Sequence, residues 1–374
     1  VTPVNKIHEN PDNNVMTLLE SKKINYIIST SAKGRDPARD SVKIRRKASL
    51  LGIPCFTALD TANAMAECLM TKYSQHNTEL VNINDMRKEK LSLKFTKMIG
   101  CGNDYIYIDC MNQNINCPES YSVLLSDRHF GVGGDGLILI DKSEKADAYM
   151  SIYNHDGTIG EMSGNAIRCV AKYLYDNEII DRSKALKNGI KIETLSGIKD
   201  LTISTRHKLV DKVAVNMGKA KFKPEEIPVL LPGEKIVSEK ITVDGTEYAV
   251  TCVSMGNPHC VVFEDDVDSL NLEKTGPLFE NHKLFPERVN TEFVSVIDSK
   301  TLKMRVWERG NGETLSCGTG ACAAVVAAVL NGYCNENQDI RVILEGGDLI
   351  INYTPDRVLM TGDAQTVFTG TVQV

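Results

Sequence analysis

Every residue from Ala321 to Leu330 is apolar. A helix of that composition has no water-facing side, which predicts a segment buried all round, with Asn331-Gly332 as its stop. A second pattern places Ile167, Val170, Ala171 and Leu174 at i, i+3, i+4 and i+7. That is one apolar stripe of a helix, with Arg168 and Lys172 off the stripe. Around these two helices the chain reads as short strands separated by Gly/Asn/Asp turns: Tyr105 to Asp109, Leu137 to Ile140, Lys191 to Thr194, Val213 to Val215, Ala249 to Val253, Val261 to Phe263 and Phe293 to Val296. Few helices interrupt them, which predicts an α+β fold with mostly antiparallel sheets. Each helix fits the middle of a wrapped sheet, so the two halves of residues 94–374 read as copies of one design.

The texture differs before residue 90. Tyr26-Ile27-Ile28 predicts a strand, Asp40 to Leu51 a helix with Gly52 as stop, Ile53 to Ala58 a strand, and Thr61 to Met70 another helix. Alternation of this kind is the pattern of a parallel α/β sheet. The charged run Asp85-Met86-Arg87-Lys88-Glu89-Lys90 then reads as part of a linker over 85–93.

Composition narrows the functional classes. Apolar and charged fractions of 42% and 25% are those of an ordinary soluble globular protein. The net charge of −6, with no basic run, argues against nucleic acid. Eleven scattered cysteines, an odd number with no C-x-x-C pair, read as reduced thiols in a cytoplasmic protein, with neither a disulfide framework nor a metal site. No apolar run is long enough to span a bilayer, and no charged-then-apolar leader opens the chain. The first residue is Val1 rather than Met, as expected of a fragment or of a chain trimmed upstream.

The chemistry concentrates just ahead of the two helices, in Met162-Ser163-Gly164-Asn165-Ala166-Ile167-Arg168-Cys169 and Leu315-Ser316-Cys317-Gly318-Thr319-Gly320-Ala321-Cys322. Each puts a small nucleophilic side chain before a glycine at a helix start. Free N–H groups and the positive dipole end there suit an anion. Facing each other, two such starts would clamp a carboxylate with Ser163 and Cys317 on opposite sides of the neighbouring carbon. A thiol at a helix start is expected to have a lowered pKa, whereas Cys169 and Cys322 read as packing residues. Glu308-Arg309 is either a surface ion pair or a reader of substrate charges, with Arg309 matching a carboxylate bidentately. Asn103, Asn154, Asn257 and Asn290 lie in turn-like sequences. They are either turn formers or the neutral amides of a site for ammonium and carboxylate groups. His259 is a candidate proton partner for a thiol. Gly131 to Gly136 lacks the spacing and following helix of a dinucleotide fingerprint and reads as a turn between strands.

On these residues the segment 94–374 resembles diaminopimelate epimerases. The matching stretches are Phe95-Thr96-Lys97-Met98, Gly102-Asn103-Asp104, Asp127-Arg128-His129 with Gly131 to Gly136, Asn154 with Asp156-Gly157, Glu161 to Cys169, Gly256 to His259, Glu308-Arg309-Gly310, and Cys317 to Ala321. The resemblance implies two pseudo-symmetric domains, 94–212 plus 362–374 and 213–361, with the active site between them. It implies inversion of the α-carbon of LL-diaminopimelate to the meso form, for lysine and cell-wall synthesis. Two opposed cysteines would do this, without pyridoxal phosphate or any other cofactor and without metal. Substrate contacts would fall on Asn103, Asn154, Gly164, Asn165, Asn257, Asn290, Glu308, Arg309, Gly318 and Thr319. The thiol-tuning pair would fall on His259 and Glu308, and the chain would act as a homodimer.

The pattern breaks at one place: the family's first catalytic cysteine falls on Ser163, while Cys317 keeps the second. A hydroxyl is far less acidic than a thiol and needs a partner to exchange protons. An engineered replacement, a natural enzyme that tolerates serine, a silent diaminopimelate-binding homologue and a related racemase or isomerase all fit the sequence. Residues 1–84 resemble the later part of the methylglyoxal-synthase-like domain at the end of the carbamoyl phosphate synthase large subunit, through Val4 to Glu9, Tyr26 to Ser31 and Asp40 to Arg46. That implies an incomplete α/β segment, in which Ser29, Thr30 and Ser31 are either the remaining anion contacts or solvated turn residues.

Overall fold

The computed structural model describes residues 3–7, 9–10, 13–21, 23–29, 40–70 and 92–374. The chain divides into two compact units, residues 1–89 and 90–374. In the first, α1 (Val15–Glu20) is capped by Asn14, and β1 (Ile27–Ile28) pairs in parallel with β2 (Cys55–Phe56). Helix α2 (Asp40–Leu50) lies between these strands in sequence and α3 (Leu59–Met70) follows. This is the expected strand–helix–strand–helix order. Thr30, Ser31 and the charged run 85–90 lie outside the described residues. Of the expected linker, Ser92 and Leu93 already belong to β3.

The second unit is a mixed α+β fold in which one pairing pattern occurs twice. Its first half holds β3 (Ser92–Gly100), β4 (Asn103–Asp109), α4 (Pro118–Ser126), β5 (Gly136–Asp141), β6 (Ala148–Asn154), β7 (Ile159–Gly160), α5 (Gly164–Asp176), α6 (Arg182–Asn188), β8 (Ile190–Thr194), β9 (Gly197–Arg206) and β10 (Leu209–Asn216). Its second half holds β11 (Glu239–Val243), β12 (Thr246–Ser254), β13 (Pro258–Phe263), α7 (Leu272–Glu280), β14 (Asn290–Asp298), β15 (Thr301–Glu308), β16 (Gly312–Thr314), α8 (Gly318–Leu330), β17 (Asp339–Leu344), β18 (Gly347–Thr354) and β19 (Arg357–Asp363). Strands β3 to β6, β8 and β9 pair with the same senses as β12 to β15, β17 and β18. The parallel steps are β4–β5 and β6–β8 in one half, β13–β14 and β15–β17 in the other. The halves join where β10 pairs with both β9 and β19. The last strand, β20 (Gln365–Gln373), returns to pair with β3, the counterpart of β11 on β12.

Each half wraps its strands around one helix. Helix α8 is buried from Gly320 to Ala328, as its unbroken apolar run predicts. Helix α5 departs from the one-stripe expectation. Arg168 is fully buried and Lys172 nearly so, because sheet surrounds this helix too. Burying a cation is tolerated only with partners. Arg168 donates to Asp363 O (3.0 Å), Asn165 Oδ1 (2.9 Å) and Gly164 O (3.2 Å), and Lys172 donates to Val210 O (2.8 Å) and pairs with Asp176. Helices α4, α6 and α7 were not expected: they are short, and α7 carries Pro277 inside it. Among the described residues no helix is long and apolar enough to cross a membrane.

Helix α7 fixes the strand that carries Glu308. The Trp307 indole lies on Gly276, where a Cβ would sit 2.2 Å from the ring, and its N–H donates to Glu280 Oε2 at 2.7 Å. A rigid buried ring cannot yield as a flexible chain end would. We therefore expect Gly276→Ala to lower unfolding stability by about 1–3 kcal/mol, the usual cost of overpacking. Urea titration followed by Trp307 fluorescence measures it.

Candidate active site

Ser163 and Cys317 occupy equivalent positions in the two halves. Both are helix N-caps in extended backbone, at φ −131°, ψ 121° and φ −127°, ψ 113°. Ser163 Oγ accepts the Ala166 N–H at 3.2 Å, and Cys317 Sγ accepts the Gly320 N–H at 3.3 Å. Both side chains line one cavity of about 1330 Å³, together with Asn103, Asn154, Gly164, Asn165, Asn257, Glu308, Gly318 and Thr319. The two helix starts meet across Met360: a Cβ on Gly164 would lie 2.4 Å from Met360 Cε, and one on Gly318 would lie 3.1 Å from Met360 Sδ. Asn165 ties them directly. Its amide donates to Ser316 Oγ (3.0 Å) beside Cys317 and to Asn103 Oδ1 (2.6 Å), while its oxygen accepts from Arg168.

The strand ends around these helix starts supply the remaining polar groups. Asn103 opens β4 and donates to Asp135 Oδ2 at 3.2 Å. Asp135 belongs to the glycine-rich turn, which links α4 to β5 rather than two strands, and it also receives Arg128. Asn154 ends β6 and bonds Thr158 (2.9 Å), and Glu308 at the matching end of β15 accepts from Thr314 (2.5 Å). Three sequence candidates lie off the cavity lining. Arg309 places its guanidinium on Glu287 O (3.0 Å), and Asn290 accepts the Arg309 N–H (2.8 Å). His259 is fully buried between Glu292 Oε1 (2.7 Å) and Asn257 Oδ1 (2.9 Å), so its hydrogen-bonded carboxylate is Glu292, not Glu308.

The electrostatics correct one expectation. Burial pushes the Cys317 thiol well up, and Glu308 and Glu292 push it further, while the Thr319 hydroxyl and Gly320 N–H oppose them. The helix start therefore does not by itself make a resting thiolate here. Burial also raises the Glu308 carboxyl. Tyr105, on β4, lines the cavity with Ser163, and burial with nearby Asp135 raises its phenol. Four of these residues escaped sequence reading. Glu292 offered a signal, a carboxylate amid the apolar residues of Phe293 to Val296. Ser316, Met360 and Tyr105 offered none, since their importance lies in what the fold sets opposite them. Among the described residues no cluster of His, Cys, Asp and Glu could hold a metal ion.

The fold recurs in solved structures of low sequence identity. It resembles a hydroxyproline epimerase from Agrobacterium vitis (TM-score 0.57, 15% identity, 76% of this chain and 93% of that one). It also resembles a PhzF-family phenazine biosynthesis protein from Bacillus anthracis (TM-score 0.56, 15% identity, 76% and 100%). Sequence comparison is more specific. A profile of the family described as diaminopimelate epimerase matches residues 95–223 and 251–367. The diaminopimelate epimerase of Acetivibrio thermocellus is 51% identical over 284 residues, covering 75% of this chain and 99% of its own. That of Methanococcus maripaludis strain C5 is 50% identical over 284 residues, covering 75% and 100%. The chain belongs to the diaminopimelate epimerase family and is accordingly an amino-acid epimerase.

A raised thiol pKa has a direct chemical reading, because only the thiolate is alkylated. The folded site holds the proton on Cys317 to higher pH than the unfolded chain does. We expect iodoacetamide labelling of Cys317, located by mass spectrometry, to rise at a more alkaline pH in the native protein than in urea. A native midpoint at or below the unfolded one contradicts this electrostatic account.

Proposed function

We propose that this chain interconverts LL- and meso-diaminopimelate by exchanging the α-proton between two opposed groups, Cys317 and Ser163. The observation that carries the reading is the matched pair of N-capped helix starts opening on one cavity, tied by Asn165. The N–H groups at Gly164, Asn165, Gly318 and Thr319 take the α-carboxylate and the charge that develops on it when the proton leaves. Cys317 removes the proton from one face, and Ser163 delivers a proton to the other. Ser163 suits delivery better than removal. Its oxygen is already engaged by the Ala166 N–H, which favours the oxygen left after the proton departs. Glu308 tunes Cys317 from within the cavity. Asn103, Asn154 and Asn257 read the ammonium and the distal end of the substrate. Asn290 and Arg309 act from behind the lining unless substrate draws Arg309 from Glu287.

The reading extends to organisation. Domain I comprises 94–212 with 362–374 and takes in Ser92 and Leu93 through β3, domain II comprises 213–361, and residues 1–84 form the partial methylglyoxal-synthase-like segment, attached through 85–91. The enzyme works in the cytoplasm as a homodimer on a small amino acid, in the supply of lysine and cell-wall precursors.

The test compares the chain with Ser163→Cys and Cys317→Ala by chiral chromatography of diaminopimelate. A proton exchanger matched to its task contributes about 10²–10⁴-fold. Ser163→Cys should therefore raise kcat at least about 100-fold, and Cys317→Ala should abolish turnover in either background. Turnover that survives loss of Cys317, or a Ser163→Cys protein that binds diaminopimelate without inverting it, overturns the proposal.

A further inference from the structure

Three donors converge on one buried carboxylate at the end of α7, and the proposed reaction does not use it. Glu280 Oε2 accepts the Trp307 indole N–H at 2.7 Å. Its Oε1 accepts Arg288 Nη1 at 3.0 Å and the Gly310 backbone N–H at 2.9 Å. Trp307 and Gly310 stand immediately before and after Glu308-Arg309, and Arg288 follows Glu287 in the segment that leads into β14. One carboxylate therefore grips the chain on both sides of Arg309 and the segment facing it.

Two further bonds join these segments, and both involve Arg309. Its backbone N–H donates to Asn290 Oδ1 at 2.8 Å, and its guanidinium donates to Glu287 O at 3.0 Å. The turn after Arg309 is closed by the Asn311 N–H on Glu308 O at 3.0 Å, with Gly310 at φ 82°. Glycine leaves such a turn many conformations, so a contact from outside the turn has to select one. Glu280 makes that contact with a charged acceptor, which holds a donor about twice as strongly as a neutral one. The Arg309 guanidinium rests on a neutral carbonyl instead. A substrate carboxylate displaces that carbonyl readily, while the backbone beneath stays where Glu280 and Asn290 hold it.

We propose that Glu280 is a positioning residue for Arg309: its carboxylate fastens Trp307, Gly310 and Arg288 together, so that Arg309 reaches substrate by turning its side chain alone. A group already held in place costs less to order on binding. The inference rests on the diaminopimelate reading, in which Arg309 meets a substrate carboxylate. Glu308, within the same grip, is also held by Thr314 and by its pairing with Gly312, so the effect falls on binding more than on turnover.

Glu280→Gln keeps the size of the side chain but sets an amide NH₂ against donors whichever way it turns. Calorimetric titration with meso-diaminopimelate gives Kd, and chiral chromatography gives kcat, for the unmodified protein, Glu280→Gln, Arg309→Ala and the double variant. With a buried donor left unpaired, Glu280→Gln should weaken binding about tenfold and change kcat less than about threefold. In the Arg309→Ala background the same substitution should change Kd less than about twofold, because the group being positioned is gone. Equal losses in both backgrounds, unchanged binding, or a fall in kcat without weaker binding overturns the proposal. Should Glu280→Gln fail to fold, Arg288→Asn decides. It removes the exposed donor from the same carboxylate and suits the left-handed backbone at that position, φ 60°. It should weaken binding with Arg309 present and not without it; equal effects overturn the proposal. If the unmodified protein neither binds nor inverts diaminopimelate, the functional reading fails and amide hydrogen exchange reads the Glu280 role alone. Glu280→Gln should then speed exchange at Arg309 and Gly310 at least about tenfold while α8 is unchanged, and unchanged exchange at both amides overturns the role.

Discussion

One amide holds the two halves of the site in register. Both hydrogens of the Asn165 side-chain nitrogen are used, one on Asn103 and one on Ser316, and its oxygen is held by the buried Arg168. Arg168 in turn reaches Asp363 O at the end of β19. The first turn of α5 is thereby joined to the segment before α8 and to the strand that ends the second half. Two helix starts cannot cooperate on one carbon unless their separation is fixed to a fraction of an ångström. Met360, wedged against Gly164 and Gly318, sets the spacing from below. A Cβ at either position would press on the flexible end of Met360 and make it shift.

The electrostatics follow from depth. A buried thiol flanked by two carboxylates favours its neutral form, and the helix N–H groups only partly offset this. Such a site is poised to hold protons. That suits a pair of groups that have to be in opposite protonation states, one loaded and one empty. Serine in place of one thiol keeps the size and the N-cap hydrogen bond but not the acidity.

Much of this was legible in the residues. The all-apolar run 321–330 and the strand segments between Tyr105 and Val296 fell inside the observed elements, because burial leaves a direct mark on composition, whereas those at Tyr26 and Ile53 overran the two-residue strands β1 and β2. The duplicated helix-start motif announced the repeat that the pairing senses of β3–β10 and β12–β19 display. Ten of the thirteen candidate site residues line one cavity. What escaped has a common cause. Arg168 reads as a surface cation until the surrounding sheet is known, and its partners lie as far away in sequence as Asp363. The His259 ring is held by Glu292, a carboxylate on the neighbouring strand β14 that the resemblance did not single out. The lowered thiol pKa expected from the helix start was outweighed by desolvation, which no local pattern reveals.

The central claim is that Ser163 and Cys317 flank a single carbon and serve opposite faces of it. The most direct measurement is solvent deuterium entering the α-carbon during early turnover in D₂O, starting separately from LL- and meso-diaminopimelate. If each group serves one face, newly formed product carries deuterium from either start, while label returned to unreacted substrate differs between the two because a thiol and a hydroxyl release protons unequally. Product that retains its original hydrogen, or identical return of label from both starts, would mean that one group handles both faces and that the opposed arrangement is not what performs the inversion.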